Sequence, residues 1–526
     1  MPDPHVPEIP SGDYRSADSN EAEAERGLAF ESPEPPTPDA DTTELPVIGR
    51  APDLRARRSV HLVGIGGVGM SAVARVLLGR SHRVTGSELK ETQLVAGLRQ
   101  LGAEIWIGAD ADRMGRPDLV ITSSGVARTS PGARVEVAAA QSLGIPVIHR
   151  ARALALLMDG HTGVAIAGNA GKTTTTGMII NILQAAGLDP SYAVGGDFLA
   201  SGSNAAAGAG PHFIAEADES DGSFLELRPQ VAIVTNVEAD HLDYYADLAA
   251  VLAAFRAFVT LLPPDGTLVL CADDPGALAL ARVAPCRVLT YGLSEDAEVR
   301  AVGLVEAADG SHFAVQAGAE LLGEAELRIA GSHNAQNALG AIAVTRALGV
   351  PFEPARAALA SYAGMARRFH LRGRRGGVTV VDDYAHHPTK LAATLTTARL
   401  GDWTRVVAVF QPHRYSRTRA LATELGQALA GADLLVVTDV YPGANEDPDP
   451  SVDGTQVASA ASAARPDLDL LYVPQRAELA KQVAALIRPG DLVLTLGAGD
   501  ITDLADELLP LLPETDHEHQ TGGGDG

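Results

Sequence analysis

The sequence predicts an α/β protein that is divided into three folded domains. The chain has 526 residues, and at about 150 residues per domain this length suggests three or four domains. Short apolar segments of strand length alternate with segments that have helical apolar spacing, which is typical of parallel sheets covered by helices. Most of these apolar segments end in glycine-rich or polar turns, and open parallel sheets bind ligands at such ends.

The composition excludes several classes of protein. The formal net charge is -25, so the chain lacks the excess of cations that would displace counterions from a nucleic acid. The two cysteines, Cys271 and Cys286, give neither a disulfide framework nor a zinc-binding pattern. The N-terminus is acidic and does not resemble a signal peptide. We expect a cytoplasmic monomer or homodimer that binds neither nucleic acid nor membrane.

Both ends of the chain are expected to be disordered. Residues 1–55 combine many prolines and acidic residues without apolar periodicity, and residues 513–526 are similar in character. Such segments cannot bury enough apolar surface to offset the entropy that is lost on ordering. Our interpretation of the N-terminal extension is an ordinary solvated tail.

The first domain, residues 56–154, begins with a strand that leads into a glycine-rich turn and a helix. The turn reads Gly-Ile-Gly-Gly-Val-Gly over residues 64–69, a pattern that places a diphosphate at a helix N-terminus. Glu88 follows the next predicted strand, where the ribose-binding acid of a dinucleotide site would lie. We predict a Rossmann-like domain, with an NAD-dependent oxidoreductase as one alternative. The Ser-Ser-Gly turn at 123–125 is either part of the ligand edge or an ordinary polar loop.

The second domain, residues 155–365, begins with a buried strand that ends in Gly-Asn-Ala-Gly-Lys-Thr at residues 168–173. A helix follows, and its N-terminus adds partial positive charge beside backbone N–H groups that the glycines leave accessible. Lys172 can reach outer phosphates, and the hydroxyl of Thr173 can bind Mg2+. The pattern is shorter than a full Walker motif, and an ordinary strand-to-helix turn is the alternative. We predict a P-loop ATPase-type domain.

Carboxylates gather after the next predicted strand of this domain, at Glu216, Asp218, Glu219 and Asp221. Like charges this dense repel one another unless a cation is present, so a magnesium site is the economical interpretation and a solvated acidic loop is the alternative. A further strand ends near Asn236. Because the carboxyl ends of parallel strands meet at one edge of a sheet, we expect Gly168, Glu216 and Asn236 to converge on one crevice.

Polar side chains also stand at the head of a long apolar helix late in this domain, at His333, Asn334 and Asn337. Helix capping by Asn334 is the simpler interpretation, and it is compatible with ligand contact.

The third domain, residues 366–512, has strands that again end in charged or small residues. One strand leads into Asp-Asp-Tyr-Ala-His-His at 382–387, and another into Gln-Pro-His-Arg-Tyr-Ser-Arg at 411–417. These segments indicate a second doubly wound, Rossmann-like domain with its own ligand edge. For His386 and His387 we favour hydrogen bonding over a metal pair, because no cysteine or further histidine stands at ligand spacing.

Taken together, the motifs resemble the Mur ligase family over about residues 58–512. The blocks that carry the resemblance are residues 64–70, 168–176, 216–225, 235–243, 333–338, 382–389, 410–418 and 496–502. The resemblance implies an N-terminal domain for a UDP-sugar, a central ATPase domain, and a C-terminal domain that brings the amino acid. It also implies the activity, which is ATP- and Mg2+-dependent ligation of L-alanine to the lactyl carboxylate of UDP-N-acetylmuramate. That reaction passes through an acyl phosphate and is an early cytoplasmic step of peptidoglycan precursor synthesis.

The resemblance further implies roles for individual residues. The implied catalytic residues are Lys172, His241, Arg368 and His386. The implied ATP contacts are Gly168, Asn169, Ala170, Gly171, Lys172, Thr173, Thr174, His333, Asn334, Asn337, Arg368 and Asp383. The implied UDP-sugar contacts are Gly64, Gly66, Gly67, Gly69, Met70, Ser87, Ser123, Ser124 and Gly125. The amino acid would meet Tyr384, His386, Arg414 and Arg417, and the metal would meet Thr173, Glu216 and His241.

The lysine content favours one step within the family. Relatives that add later amino acids carry a carbamylated lysine in the central domain, whereas this chain has no lysine between Lys172 and Lys390. Addition of the first amino acid is therefore the leading hypothesis. A relative that reattaches recycled peptide to the same sugar nucleotide is one alternative, and a non-catalytic, regulatory nucleotide-binding relative is another.

Several positions depart from the usual family pattern. Asn169 and Ala170 replace a Thr-His pair in the phosphate loop, His370 stands where an acid or glutamine is usual, and Lys390 stands where glutamate is usual. Because backbone amides provide most of a phosphate cradle, we expect nucleotide binding to survive. The departures are expected to change the catalytic rate more than the fold.

Restoring the usual histidine in the phosphate loop should raise turnover. We expect Ala170→His to increase phosphate release without changing which amino acid is used, because the contribution of that side chain is missing here. Phosphate release measured with each amino acid, for both forms of the protein, checks this expectation. A lower rate after the substitution would contradict it.

Overall fold

A computed structural model describes residues 51–125, 131–242, 244–443 and 446–514. Most of the two expected disordered segments, and Asp243 of the 235–243 block, lie outside these ranges. The expectation of disorder was wrong for residues 51–55, because Leu54 is only 2% exposed and packs in the core. Its carbonyl oxygen also lies 3.1 Å from Nε2 of the His82 ring, so apolar burial and a polar contact both hold this segment.

The N-terminal sheet is fully parallel, with strand order β3-β2-β1-β4-β5. Its strands are β1 (Ser59–Val63), β2 (Arg83–Glu88), β3 (Glu104–Ile107), β4 (Leu119–Thr122) and β5 (Val147–His149). The helices of this part are α1 (Val68–Gly79), α2 (Gln93–Gln100), α3 (Ala111–Met114), α4 (Pro131–Ser142) and α5 (Arg150–Met158). This strand order is that of a doubly wound dinucleotide-binding fold, as the glycine-rich turn predicts.

The middle sheet has ten strands in the order β15-β14-β13-β12-β11-β10-β6-β9-β7-β8. The strands are β6 (Thr162–Ala167), β7 (Ser191–Ala193), β8 (Ala205–Ala206), β9 (His212–Glu216), β10 (Val231–Val234), β11 (Thr267–Cys271), β12 (Arg287–Gly292), β13 (Val299–Ala307), β14 (Gly310–Ala317) and β15 (Glu320–Leu327). The helices are α6 (Lys172–Ala185), α7 (Leu248–Val259), α8 (Pro275–Ala279), α9 (Ser332–Ala347) and α10 (Phe352–Ala360). The central strands pair in parallel, and β13 to β15 extend the sheet as an antiparallel meander.

Side-chain caps explain where two of the middle helices begin. Asp247 accepts a hydrogen bond from the Ala250 amide at 2.9 Å and so caps α7. Asp274 caps α8 through the Ala277 amide at 2.6 Å, with proline at the first helical position. Each cap satisfies an amide that the helix itself leaves without an acceptor.

The C-terminal sheet has the order β16-β17-β21-β18-β19-β20, with β16 antiparallel to its neighbour and the remaining pairs parallel. The strands are β16 (His370–Arg375), β17 (Val378–Asp383), β18 (Arg405–Phe410), β19 (Leu434–Thr438), β20 (Asp469–Val473) and β21 (Asp491–Leu496). The helices are α11 (Pro388–Ala398), α12 (Tyr415–Leu429), α13 (Thr455–Ala464), α14 (Leu479–Leu486) and α15 (Leu504–Leu508). The apolar periodicity did not predict the two edge strands, β16 and β20. The arginine-rich sequence of β16 is compatible with an edge position, where charged side chains are tolerated.

The hydrophobic core clusters do not correspond one to one with the three sheets. One continuous core cluster runs from Leu54 to Met365 and so includes both the N-terminal and the middle sheet. Across this junction the Asn204 side-chain amide donates to the Val68 carbonyl at 3.0 Å. The C-terminal sheet has two clusters of its own, separate from that core. The first two sheets therefore form one packed body. None of the helices in the described ranges is both long and apolar enough to cross a bilayer.

Removing a buried carboxylate of the C-terminal sheet should be strongly destabilising. Asp491 is fully buried and accepts hydrogen bonds from Arg405 at 3.0 and 2.6 Å. Because Asp491→Ala leaves a guanidinium without its partner, we expect a loss of about 3–5 kcal/mol in the free energy of unfolding. Urea denaturation followed by the fluorescence of Trp403, which packs against the same domain's core, measures this change.

A matched control lies on the surface of the same domain. Asp506 accepts from Arg372 at 2.7 and 2.8 Å, but its side chain is 70% exposed. We expect Asp506→Ala to lower the stability by less than about 1 kcal/mol, because water screens an exposed carboxylate. Equal losses for the two variants would show that burial does not decide the contribution of these pairs.

Candidate active site

Three neighbouring strands of the middle sheet end at one edge of a large cavity. The order β10-β6-β9 places the strand ends before Gly168, at Glu216 and before Asn236 side by side, which confirms the predicted convergence. The cavity has a volume of about 760 Å3 and is lined by residues of all three sheets' domains. Among its lining residues are Gly69 and Arg150 of the first, Lys172 and Glu216 of the second, and Asp383 and Arg417 of the third.

The phosphate loop connects β6 to α6. Gly171 has a positive φ of 83°, and a Cβ there would lie 2.4 Å from Oδ1 of Asn337, so only glycine fits. The helix begins at Lys172, and its first amides have no acceptor within the helix, which leaves them available to an anion. The amides of Asn169 and Ala170 instead donate to Oδ1 of Asn236 at 2.9 and 2.8 Å. Anion binding by this loop therefore falls to the helix N-terminus.

Glu219 joins the two predicted catalytic residues of the middle domain. The Lys172 ammonium donates to both Glu219 carboxylate oxygens, at 2.8 and 2.7 Å. Nε2 of His241 lies 3.4 Å from Oε1 of the same carboxylate, which is 1% exposed. Burial opposes the charge of Lys172, but Glu219 and Asp218 outweigh it and raise the pKa of the lysine above its ordinary value. Lys172 is thus held charged at the cavity wall.

Glu216 and Thr173 are the residues best suited to a divalent cation. Oε1 of Glu216 is buried and has no hydrogen-bond partner among the described residues. Burial raises the pKa of this carboxyl despite the nearby Lys172, and a bound cation would reverse that effect. The Thr173 hydroxyl accepts from Arg368 at 3.3 Å.

The predicted third ligand, His241, lies 3.4 Å from Glu219 and lines the same cavity as Glu216 and Thr173. No three His, Cys, Asp or Glu side chains gather as metal ligands within the described part of the chain. Mg2+ commonly takes only one or two carboxylates and completes its shell with phosphate oxygens and water. Glu216 with Thr173 therefore fits this ion without histidine.

The glycine-rich loop of the N-terminal domain is partly occupied by an internal carboxylate. The Gly66 amide donates to Oε2 of Glu88 at 2.7 Å, and the Gly67 amide donates to the Gly64 carbonyl at 3.3 Å. Gly69 lies against the Arg150 guanidinium, where a Cβ would collide with it. These residues lie at the turn that the fingerprint assigns to a ligand, and Glu88 accepts from one of its amides.

Two residues predicted to meet the sugar nucleotide lie in the interior instead. Met70 is 2% exposed and Ser87 is 4% exposed. The Ser87 hydroxyl donates to Oε2 of the buried Glu136 at 2.5 Å, so it is not presented to the cavity. The resemblance assigned the serine to the sugar nucleotide, whereas the structure pairs it with Glu136.

Polar contacts connect the N-terminal domain to the acidic loop of the middle domain. Arg150 lies 3.4 Å from Oδ2 of Asp218. The Ser124 hydroxyl donates to Oδ2 of Asp221 at 2.6 Å and lies 3.0 Å from Nε2 of His149. Ser123 and Gly125 flank this contact. The acidic loop thus binds polar groups of the first domain as well as Lys172.

The residues at the head of α9 have two roles. Asn334 and Asn337 are both 7% exposed; the Asn334 side chain donates to the Ala330 carbonyl at 2.7 Å, and Asn337 accepts from the Thr175 hydroxyl at 3.2 Å. Asn337 therefore supports the start of α6, and its side-chain amide donates to Oδ1 of Asn334 at 3.3 Å. His333 is exposed and lines the cavity.

Two backbone amides hold the side chain of Asp383, the last residue of β17. The Asp383 carboxylate accepts from the amides of Phe369 and Ala385 at 2.7 and 2.8 Å. The guanidinium groups of Arg367 and Arg368 lie 4.9 and 5.0 Å from the centre of the Tyr384 ring, which is cation–π distance. This arrangement fixes Arg368 between Tyr384 and Thr173.

Two histidines of the C-terminal domain are kept neutral. Their rings, His386 and His413, lie 6.0 Å apart. Burial, together with Lys390 and Arg417, lowers the pKa of His386 well below its usual value. Burial and the neighbouring arginines lower the pKa of His413 to about 3. Because Nδ1 of His386 lies 2.6 Å from the Tyr384 carbonyl, this nitrogen carries the hydrogen and Nε2 is an acceptor.

Arg417, predicted to meet the amino acid, also forms a buried bridge between domains. Its guanidinium donates to Oδ1 of Asp240 at 2.9 Å. Burial would raise the pKa of Asp240, but Arg417, His241 and Lys390 together hold it far below its usual range. Arg414 lines the same cavity.

Backbone strain is concentrated at this site. Five non-glycine residues in the described ranges have positive φ, and four of them line the cavity: His241, Arg367, Phe369 and Arg414. Such conformations are costly for residues with a Cβ and persist where the surroundings enforce them.

Several residues of this site were not assigned from the sequence. Glu219 lies within the predicted acidic cluster but was not distinguished from its neighbours, and Asp240 follows a predicted strand end. Glu238 accepts from the Thr389 hydroxyl at 2.8 Å, while its amide donates to Asn169 at 2.7 Å. Their position just after a strand end could be identified from the sequence. The side chains that they contact could not.

Comparison with known proteins identifies similar chains over most of the described region. The profile of the Mur ligase middle domain matches residues 166–345, that of the Mur ligase glutamate ligase domain matches residues 367–499, and that of the Mur ligase family catalytic domain matches residues 59–162. The UDP-N-acetylmuramate–L-alanine ligase of Renibacterium salmoninarum is 46% identical over 472 residues, covering 88% of this chain and 98% of that protein.

Solved structures are similar as well. The UDP-N-acetylmuramate-alanine ligase of Thermotoga maritima has a TM-score of 0.72 and 28% identity, and the match covers 86% of this chain and 99% of that one. A murein peptide ligase of Psychrobacter arcticus has a TM-score of 0.65 and 25% identity, covering 88% of this chain and 100% of that one.

The neutral histidines should make stability depend on pH. Because the unfolded chain binds a proton at His413 near pH 6.5 and the folded protein does so only near pH 3, the stabilisation present above pH 6.5 is lost as the pH falls through this window. Between pH 7 and pH 5, the free energy of unfolding should fall for both proteins. We expect this fall to be about 1–2 kcal/mol smaller for His413→Asn than for the parent protein. Urea denaturation at each pH measures this, and parallel pH profiles would contradict it.

Proposed function

Since the chain belongs to the Mur ligase family, we propose that it uses ATP to join L-alanine to the lactyl carboxylate of UDP-N-acetylmuramate. The observation that carries this proposal is one cavity in which a phosphate-loop lysine, a carboxyl suited to Mg2+ and arginines of the C-terminal domain meet. The relative from Renibacterium salmoninarum, at 46% identity, is named a UDP-N-acetylmuramate–L-alanine ligase.

The proposed chemistry is mainly charge neutralisation and positioning. A lactyl carboxylate oxygen attacks the γ-phosphorus of ATP, the bond to ADP breaks, and an acyl phosphate forms. The amine of L-alanine then attacks the acyl carbon, and inorganic phosphate leaves from the tetrahedral intermediate. Every reactant except the amine is anionic, so fixed cations and donors lower the barrier.

Lys172 and Arg368 are the proposed cations for the triphosphate. Lys172 stands at the helix N-terminus of the phosphate loop and is held charged by Glu219. Arg368 reaches the Thr173 hydroxyl from the C-terminal domain. An anion between them would meet positive groups from both domains. His333, Asn334 and Asn337 stand at the adenine side in this proposal.

Magnesium is proposed at Glu216 and Thr173. The ion would neutralise charge on the β- and γ-phosphates, which is the usual role of Mg2+ in phosphoryl transfer. The partnerless oxygen of Glu216 supports this assignment. His241, which the family resemblance implied as a third ligand, is proposed instead to steady Glu219 from the other side.

The two Rossmann-like domains are proposed to bring the other substrates. The loop from Gly64 to Gly69 would take the UDP diphosphate, with Arg150 at its end as a further cation. Tyr384, His386 and Arg414 would face L-alanine, with Nε2 of His386 available as a hydrogen-bond acceptor for its amine. We place the reaction in the cytoplasm, with a monomer or homodimer as the working unit.

The decisive experiment is ADP formation in the presence of each substrate alone and of both together. The proposal requires ADP that depends on UDP-N-acetylmuramate and L-alanine together and is lost when EDTA removes Mg2+. Activity with a tripeptide in place of L-alanine would favour the recycled-peptide ligase, and no ADP with any acceptor would favour a regulatory protein.

Neutralising Glu219 should slow the reaction without weakening amino-acid binding. We expect Glu219→Gln to lower kcat by about 100-fold, because Lys172 and His241 lose their shared anion, while KM for L-alanine stays unchanged. Steady-state kinetics with each substrate varied measures both quantities. Glu226→Gln, at an exposed position on the same loop, is the control and should behave like the parent. A kcat within threefold of the parent for Glu219→Gln would refute the role.

A further inference from the structure

Lys390 enters the active-site cavity from the C-terminal domain. It lies in the first turn of α11, which follows the polar end of β17. Its side chain is only 18% exposed and lines the cavity together with Lys172 and Arg368. The family resemblance assigned it no role, because glutamate is usual at this position.

The Lys390 ammonium has no hydrogen bond to any residue in the described ranges. The nearest carboxylate oxygen is Oδ2 of Asp240, at 4.0 Å. The other oxygen of Asp240 already accepts from Arg417 at 2.9 Å. An ammonium carries three donors, and a largely buried charge without a close partner is unfavourable. The group is therefore poised for an anion that enters the cavity.

The surroundings of Lys390 indicate which anion this is. Burial lowers the pKa of Lys390 to about 8, Asp240 opposes that effect, and repulsion from Lys172, Arg368 and Arg417 adds to it. Lys172 and Arg368, the cations at the phosphate loop, line the same cavity as Lys390, so an anion held by these two cations would also face Lys390. The phosphate loop itself offers only a methyl group at Ala170.

We propose that Lys390 binds the terminal phosphate of ATP and remains on that phosphate in the acyl phosphate. This inference deepens the proposed ligase function, and the contact with the acyl phosphate rests on that function. The lysine donates hydrogen bonds and transfers no proton. As the carboxylate oxygen–phosphorus bond forms and the bond to ADP breaks, the positive charge stays beside the phosphoryl oxygens. In this role Lys390 is a catalytic residue supplied by the C-terminal domain.

A comparison of two nucleotides isolates the terminal phosphate. For Lys390→Gln, we expect the Kd of the β,γ-imido analogue of ATP to rise about tenfold while the Kd of ADP stays within twofold of the parent. Lys390→Arg should recover most of the loss because it restores the charge. Isothermal titration with the full-length chain and Mg2+ measures these constants, and normal ADP binding shows that each variant is folded.

The controls separate this inference from the ligase function. Lys481→Gln removes an exposed lysine of the same domain and should leave both constants unchanged. Equal effects of Lys390→Gln on both nucleotides, no effect on either, or failure of the parent to bind the analogue would each overturn the inference. A parent that binds the analogue with the expected Lys390 dependence but forms no ADP from both substrates would overturn the ligase function and the acyl-phosphate role, and leave the ATP contact standing.

Discussion

Oppositely charged side chains that are buried together are the constraint on which this site depends. Lys172 and Glu219 are both largely removed from water, and either charge alone would be costly there. His241 contacts the same carboxylate from the next strand end. The three side chains follow β6, β9 and β10, which are adjacent in the sheet. The strand order itself therefore brings the compensating charges together.

The same constraint governs the contacts between domains. Arg150 meets Asp218 at the N-terminal side, and Arg417 meets Asp240 at the C-terminal side. In each case the middle domain supplies the carboxylate and a neighbouring domain supplies the cation. An anionic ligand that binds either arginine must compete with a carboxylate already present, so its net binding energy is a difference between two charged contacts.

The two interfaces of the middle domain differ in whether an apolar core crosses them. The N-terminal and middle domains share one apolar core, so their relative position is set by close packing. The C-terminal domain has separate cores and meets the middle domain through polar pairs such as Arg417 with Asp240. Polar interfaces of this kind resemble transient ones and permit domain movement. The cations that this domain brings, Arg368 and Lys390, are therefore the part of the site that domain movement would reposition.

The sequence by itself determined the strand ends and the chemistry that gathers there. Apolar runs of strand length, each followed by glycine or carboxylates, located the edge at Gly168, Glu216 and Asn236, because local periodicity and turn chemistry are written in neighbouring residues. Only the tertiary structure decided the partners. It selected Glu219 among four nearby carboxylates, turned Ser87 inward onto Glu136, and brought Lys390 beside Asp240. These outcomes depend on side-chain direction and on contacts between residues far apart in the chain, which no local pattern encodes.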